Sequence, residues 1–189
     1  PLMAATELKI RGRHNVDNAL AALALGDAAG IPMDAMLATL RTFGGLRHRC
    51  EFVADKNGVE FYNDSKGTNI GATLAAIQGL ARDPQQLIVI LGGEGKGQDF
   101  SELTPALRAI NSTVVLIGRD APVIDAAVGD AATVIHADSM QDAVNKSFAA
   151  ANPGDAVLLS PACASFDMFK NYEDRGEKFC AAVQELIAS

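Results

Sequence analysis

The sequence predicts an α/β protein: an open, mostly parallel sheet that begins with one antiparallel hairpin and is preceded by a short helical segment. Three observations carry this expectation. From residue 87 onward, short β-branched runs alternate with helical stretches, and such alternation enforces parallel pairing through right-handed crossovers. Residues 50–64 alternate apolar and polar positions on both sides of Asn57-Gly58, a strong hairpin signal. Residues 15–29 are apolar nearly all round, which suits a helix buried in a core.

Taken in order, the first helix covers 15–29 and is ended by Gly30. Pro32 opens a second through residue 40, at a position where its missing N–H costs nothing. The segment TFGGLRHR, residues 42–49, is glycine-broken and basic, and marks a candidate hinge between residues 1–43 and a domain spanning 44–189. After the hairpin come a helix over 70–80 and a strand over 87–91, then a helix over 105–110 and a strand over 113–117. A helix over 122–128, a strand over 133–136, a helix over 140–150, a strand over 156–159 and a helix over 175–187 complete the chain. Asp99-x-x-Glu102 and Ser139-x-x-Asp142 resemble capping boxes, Thr104 is placed to cap a helix opened by Pro105, and Asn152-Pro153-Gly154-Asp155 reads as a turn.

The 189 residues are 49 % hydrophobic and 21 % charged, ordinary for a soluble globular protein. No apolar run reaches the ~18 residues of a membrane span, and no signal peptide or lipidation motif opens the chain. Sixteen basic against 23 acidic residues give a net charge of −7, which argues against a broad nucleic-acid-binding surface. Cys50, Cys163 and Cys180 lack metal-type spacing, so a reducing, cytoplasmic compartment is expected. The start at Pro1, running straight into a helical pattern, reads as if cut from a longer protein.

Five stretches carry candidate chemistry. LGGEGKGQDF, residues 91–100, looks like a phosphate cradle but fails both tests. Lys96 is followed by Gly97 where a P-loop needs Ser or Thr, and Gln98 stands where the dinucleotide fingerprint needs its third glycine. It is then either a plain strand-to-helix turn or a turn that holds Lys96 at the carboxyl end of a strand, facing an anionic group. LLSPACASFDMFKNYEDRGEKF, residues 158–179, ends a buried strand in small residues, with Ser160, Cys163 and Ser165 beside one crevice. Cys163 as a nucleophile lacks any local base, and a packed thiol is the plainer reading. NDSKGTN, residues 63–69, places Asp64, Lys66, Thr68 and Asn69 together, either as a ligand-binding loop or as turn chemistry with an N-cap at Thr68. In HNVDN, Asn15 and Asn18 share a helix face at i, i+3 spacing. GLRHRCE carries Arg47, His48 and Arg49, a solvated basic loop or an arginine swung onto phosphate.

Taken in chain order, the five stretches HNVDN, GLRHRCE, NDSKGTN, LGGEGKGQDF and the one ending at Phe179 resemble the C-terminal half of the Mur ligases, and within that family the members that add D-glutamate. The resemblance covers essentially the whole chain. It implies a Rossmann-like C-terminal domain over 44–189, with residues 1–43 as the helical tail of a central ATP-binding domain. It also implies an ATP- and Mg2+-dependent amide-forming ligase of peptidoglycan synthesis, joining D-glutamate to UDP-N-acetylmuramoyl-L-alanine through an acyl phosphate. By the same resemblance, Asn15, Asn18, Arg49, Asp64 and Lys66 serve ATP, while Thr68, Lys96, Ser165, Phe166 and Tyr172 bind D-glutamate. The P-loop and the magnesium ligands are expected outside these 189 residues, so no catalytic or metal-binding residue is assigned here, and the chain alone is expected to be inactive. A cytoplasmic monomer, with neither nucleic-acid partner nor membrane insertion, is expected. Gly67, Phe166 and Tyr172 depart from the family's common alanine, leucine and phenylalanine. Two other readings are a sister ligase for another amino acid and a stand-alone nucleotide-binding module. The first lacks the Asp-Asn-Pro-Arg motif of the diaminopimelate-adding relatives, and the second is disfavoured by the failed dinucleotide test.

Overall fold

The structure, a computed structural model, describes residues 2–10, 12–81, 86–110 and 112–189, apart from the side chains at 13 and 14. Helices α1 (Arg13–Ala28) and α2 (Met33–Thr42) lead into β1 (Glu51–Lys56) and β2 (Val59–Asn63). There follow α3 (Ile70–Leu80), β3 (Leu87–Gly92), α4 (Thr104–Ala109), β4 (Thr113–Ile117), α5 (Ala121–Val128), β5 (Thr133–His136), α6 (Met140–Ala150), β6 (Ala156–Leu159) and α7 (Tyr172–Ala188). The sheet runs β1-β2-β6-β3-β4-β5. β1 pairs antiparallel with β2, and the other four pairings are parallel. At the hairpin tip Asn57 and Gly58 both take positive φ, 55° and 82°, the type I′ geometry whose twist matches the flanking strands.

Strand side chains alternate between two cores. Leu87, Val89 and Leu91 of β3 face a cluster built with α3, α4 and α5, whereas Ile88 and Ile90 face one built with α6 and α7. β3, β4 and β6 are buried along their whole length, which explains their unbroken β-branched and leucine runs. The edge strands β1 and β5 are only half-buried. Phe179 of α7 is fully buried, a contribution of about 1.5–3 kcal/mol.

Helix caps match the sequence in part. Ser139 Oγ accepts from Asp142 N–H at 3.1 Å, and the Asp142 carboxylate accepts from Asp138, one residue earlier than a capping box requires. Asp99 accepts from Ser101 N–H without a reciprocal bond from Glu102. Thr104 caps nothing: its hydroxyl donates to the Ala127 carbonyl, which draws α4 onto α5. α1 also departs from expectation. It packs on α2 and α3 through one face, burying Ala19 and Leu23 but leaving Leu20 56 % and Leu25 74 % exposed. Among the described residues, no helix is long and apolar enough to cross a membrane.

The connections place a crevice. β3 exits toward α4 on one face, while its neighbour β6 exits toward α7 on the other. Loops diverging in this way open a gap at the carboxyl ends of the two strands, where α/β sheets bind ligands.

Candidate active site

Three loops meet at that gap. The glycine turn after β3 is stitched to the loop after β6 by a two-way backbone bridge, with Glu94 N–H to the Ala164 carbonyl and Ala164 N–H to the Glu94 carbonyl, both 2.9 Å. Gly93, at φ 129°, makes this approach possible, because a Cβ there would collide with the Ala164 carbonyl oxygen. Gly92 and Gly93 therefore serve close backbone packing, and Gly95 leaves room for the Phe100 ring. Gln98, at the position where the dinucleotide fingerprint has glycine, completes the stitching. Its amide donates to the Gly95 and Ala162 carbonyls at 2.9 Å each and accepts from Ile70 N–H at 3.1 Å. Asp120 accepts from Gly95 N–H at 2.7 Å. Held on both sides, Lys96 adopts φ 52°, a left-handed backbone that costs an ordinary side chain about 1–3 kcal/mol. Its exposed ammonium lies 5.9 Å from the centroid of the Phe166 ring.

The loop after β2 is fixed from below. Asp64 is buried, its Oδ1 accepting from Cys50 N–H at 3.1 Å and its Oδ2 from the Ser160 hydroxyl at 2.7 Å. Burial pushes its carboxyl up to about 6, against the pull of those hydrogen bonds. Ser160 therefore faces Asp64 and Thr73, 3.0 Å away, and does not point into the crevice. Gly67 sits beneath this pair; a Cβ there would come within 2.5 Å of Asp64 Oδ2 and 2.6 Å of Ser160 Oγ. The cap of α3 is Asn69, which accepts from Ala72 N–H at 2.9 Å, so Thr68 is released from the capping role. Among the described residues the Thr68 and Ser165 hydroxyls are engaged by no other group. Lys66 Nζ lies 3.8 Å from the centroid of the Tyr172 ring. The two lysines are thus each paired with an aromatic from the segment after β6.

Asn15 and Asn18 lie on one face of α1, joined by a 3.3 Å hydrogen bond. Together with Arg49 they line two adjoining clefts. One, of about 320 Å³, is walled by Ala19, Ala22, Phe43 and Leu46; the other, of about 180 Å³, reaches Asp64 and Lys66. The basic segment is divided by function: Arg47 turns to Glu51 and Glu177, His48 is buried, and Arg49 remains exposed at the clefts. Cys163 is fully buried and its thiol is pushed up to about 12 by that burial, so it stays protonated and does not serve as a nucleophile. Among the described residues no group of three His, Cys, Asp or Glu side chains is placed to share a metal ion.

A sequence model of the family described as Mur ligase, glutamate ligase domain, matches residues 48–163. The chain belongs to the Mur ligase family. Among its Mur ligase relatives, the UDP-N-acetylmuramoylalanine–D-glutamate ligase of Pseudomonas fluorescens is 59 % identical over 186 residues, which cover 98 % of this chain and 42 % of the relative. That of Acinetobacter baylyi is 54 % identical over 190 residues, with the same coverage. The chain thus spans about two fifths of the length of these relatives. Among solved structures, UDP-N-acetylmuramate–alanine ligase MurC of Thermotoga maritima superimposes with a TM-score of 0.66 at 16 % identity, covering 95 % of this chain and 40 % of that one. Folylpolyglutamate synthase of the same organism gives 0.60 at 16 %, covering 96 % and 40 %. At such identities the likeness establishes the fold alone.

Two features of this Mur ligase chain were not singled out in the sequence. Asp120 has no local signature. Arg175, fully buried, stands within the stretch that ends at Phe179, where the serines and the cysteine, not the arginine, are the candidate groups.

Proposed function

We propose that the chain is the amino-acid-presenting part of an ATP-dependent acid–amino-acid ligase that joins D-glutamate to UDP-N-acetylmuramoyl-L-alanine in cytoplasmic peptidoglycan synthesis. In this reading residues 1–43 are the tail of a central ATP-binding domain and 44–189 the C-terminal domain, the enzyme acting as a monomer. The family match beginning at His48 supports that division, as do the apolar side chains that α1 leaves exposed. The observation that carries the function is the placement of Lys66, beside the Tyr172 ring, in a cleft it shares with Asn15, Asn18 and Arg49, while Lys96 is held beside the Phe166 ring on the turn stitched to the loop after β6.

ATP fits these clefts: apolar walls suit a base, the asparagines its polar edge, Arg49 and Lys66 the phosphates, and Asp64, ionised above about pH 6, a ribose hydroxyl. Its chemistry, when bound, is to activate the substrate carboxylate as an acyl phosphate. Among the described residues no group of three His, Cys, Asp or Glu side chains is placed to cage magnesium.

The residues of this chain bring anions together. Lys96 and Thr68 hold the side-chain carboxylate of D-glutamate, while Ser165, Phe166 and Tyr172 frame its other end. Its amino nitrogen then attacks the acyl carbon; the C–N bond forms, the C–O bond to phosphate breaks, inorganic phosphate leaves, and the nitrogen loses a proton. Fixed charges at the crevice offset the mutual repulsion of the reactants. Closure about Gly44-Gly45 excludes the water that would hydrolyse the acyl phosphate.

The test is a calorimetric titration of the full-length protein, with an ATP analogue present, against D-glutamate, L-lysine and diaminopimelate, followed by product assay. Heat and product with D-glutamate alone are expected. Equal response to another amino acid would overturn the substrate assignment, and ligation by residues 1–189 alone would overturn the division of labour.

A further inference from the structure

The first turn of α7 touches every loop of the site except the glycine turn, and its centre is a buried cation. Arg175 is 0 % exposed, and each of its three hydrogen bonds goes to a neutral oxygen. Nε donates to Ser65 Oγ at 3.0 Å, Nη2 to the Ser65 carbonyl at 2.9 Å, and Nη1 to the Cys163 carbonyl at 3.0 Å. Ser65 lies between Asp64 and Lys66; Cys163 lies two residues before Ser165. One planar fork therefore spans the loop after β2 and the loop after β6, a geometry that lysine cannot reproduce.

Neighbouring contacts share the same logic. The Ser65 hydroxyl, accepting from Arg175, donates onward to the Tyr172 carbonyl at 2.7 Å, so α7 closes the circuit. The Tyr172 ring meets Lys66 on its face and His48 edge-on, with ring centroids 6.0 Å apart for the latter pair. His48 in turn holds the loop after β2, its carbonyl accepting from Lys66 N–H at 3.0 Å, and its Nδ1 lies 2.9 Å from Asn63 Nδ2. The Asn63 amide also donates to the Gly176 carbonyl at 3.3 Å. A buried guanidinium is costly unless its donors are satisfied. Here three of its five N–H donors are engaged, each by an oxygen of one of these two loops, and they stay engaged only while both loops keep their present positions.

We infer that Arg175 is a positioning residue that clasps the loop carrying Asp64, Lys66 and Thr68 to the loop carrying Ser165 and Phe166, so that the nucleotide side and the amino-acid side of the site are set as one unit. The kinetic part of this inference rests on the proposed function; the structural part does not. Burial lowers the Arg175 guanidinium to about 10, which leaves it charged at neutral pH.

The experiment compares wild type, Arg175→Lys and Ser65→Ala in the full-length protein, with Arg108→Lys as a control drawn from an exposed surface ion pair. Amide hydrogen exchange is read first. Arg175→Lys should speed exchange about tenfold in both 64–68 and 162–166 and leave β3 and β4 unchanged. Acceleration in only one loop, in neither, or equally in β3 and β4 would overturn the clasp. Steady-state kinetics is read second. Displacing oriented groups by ~1 Å costs up to about 100-fold in rate, so kcat should fall about 10- to 100-fold and the KM values for ATP and D-glutamate should rise together. A change in one KM alone would overturn the coupling. If Arg175→Lys does not fold, Ser65→Ala is judged by the same criteria at a smaller amplitude. A wild type that forms no D-glutamyl product refutes the proposed function, while the exchange data still decide the clasp.

Discussion

Lys66 Nζ stands 3.8 Å above the ring of Tyr172, although the two residues leave different strands and lie more than a hundred positions apart in sequence. The ring face gives the ammonium a fixed seat, a contact worth about 0.5–2 kcal/mol depending on desolvation. Tyr172→Phe preserves the face and should leave ligase kinetics within about twofold of wild type. Tyr172→Leu removes it and should cost about 2- to 30-fold in kcat/KM, the same energies expressed as rates. Steady-state assay of the two variants in the full-length ligase checks this, and equal losses would show that the hydroxyl, not the face, matters.

Lys96 makes a sharper case, because its strained backbone and two-sided anchoring aim it while, among the described residues, it joins no ion pair. A charged hydrogen bond to a carboxylate is worth about 1.5–3 kcal/mol. Lys96→Ala in the full-length ligase should therefore raise the KM for D-glutamate about 10- to 100-fold and leave that for ATP nearly unchanged. Parallel increases in both would reject the carboxylate role.

Much of the fold was legible in the sequence because strand and helix periods differ and Gly, Pro and Asn mark the turns: every expected strand and helix from residue 50 onward is present, with ends shifted by a few residues. The start of α7 at Tyr172 was missed because its cap, Asn171 accepting from Asp174 N–H at 2.8 Å, follows a loop without periodicity. The burial of α1 was misread because an apolar composition does not say which neighbour covers it. At the site, lysines and hydroxyls announce themselves by residue type. Gln98, Asp120 and Arg175 act on backbone groups of distant loops, and no local pattern encodes such contacts. Gly67 looked like a mild departure from the family, yet it sits directly beneath the Asp64–Ser160 pair.

Asp64 couples that pair to pH. Its folded-state pKa of about 6 is raised from 3.8, chiefly by burial, so the native state holds its proton more tightly than the unfolded chain. Stability linked to this group is therefore highest below about pH 4, declines as pH rises from 4 to 6, and is level above. Its span is on the order of 3 kcal/mol. In Asp64→Asn the amide can keep both partners, accepting from Cys50 N–H and donating to Ser160, and it does not titrate. Urea unfolding across pH 4–7 should show the wild type losing stability relative to the variant. A constant difference between the two would disprove the raised pKa.

Gln98 offers the most local test of how the crevice is held. Its side chain ties the glycine turn, the loop after β6 and the first residue of α3 through three hydrogen bonds. Gln98→Ala leaves the Gly95 and Ala162 carbonyls and the Ile70 N–H without this partner, and each buried group so exposed costs about 1–3 kcal/mol unless water reaches it. The half-buried position of Gln98 lets water recover part of this, so a net loss of about 2–3 kcal/mol in urea unfolding is expected. Gln98→Glu keeps the acceptor for Ile70 but sets a carboxylate against two carbonyls, and should destabilise at neutral pH and recover on acidification as the carboxyl gains a proton to donate. A Gln98→Ala protein as stable as wild type would show that the backbone bridge between Glu94 and Ala164 suffices to hold the turn, and that the amide is incidental to it.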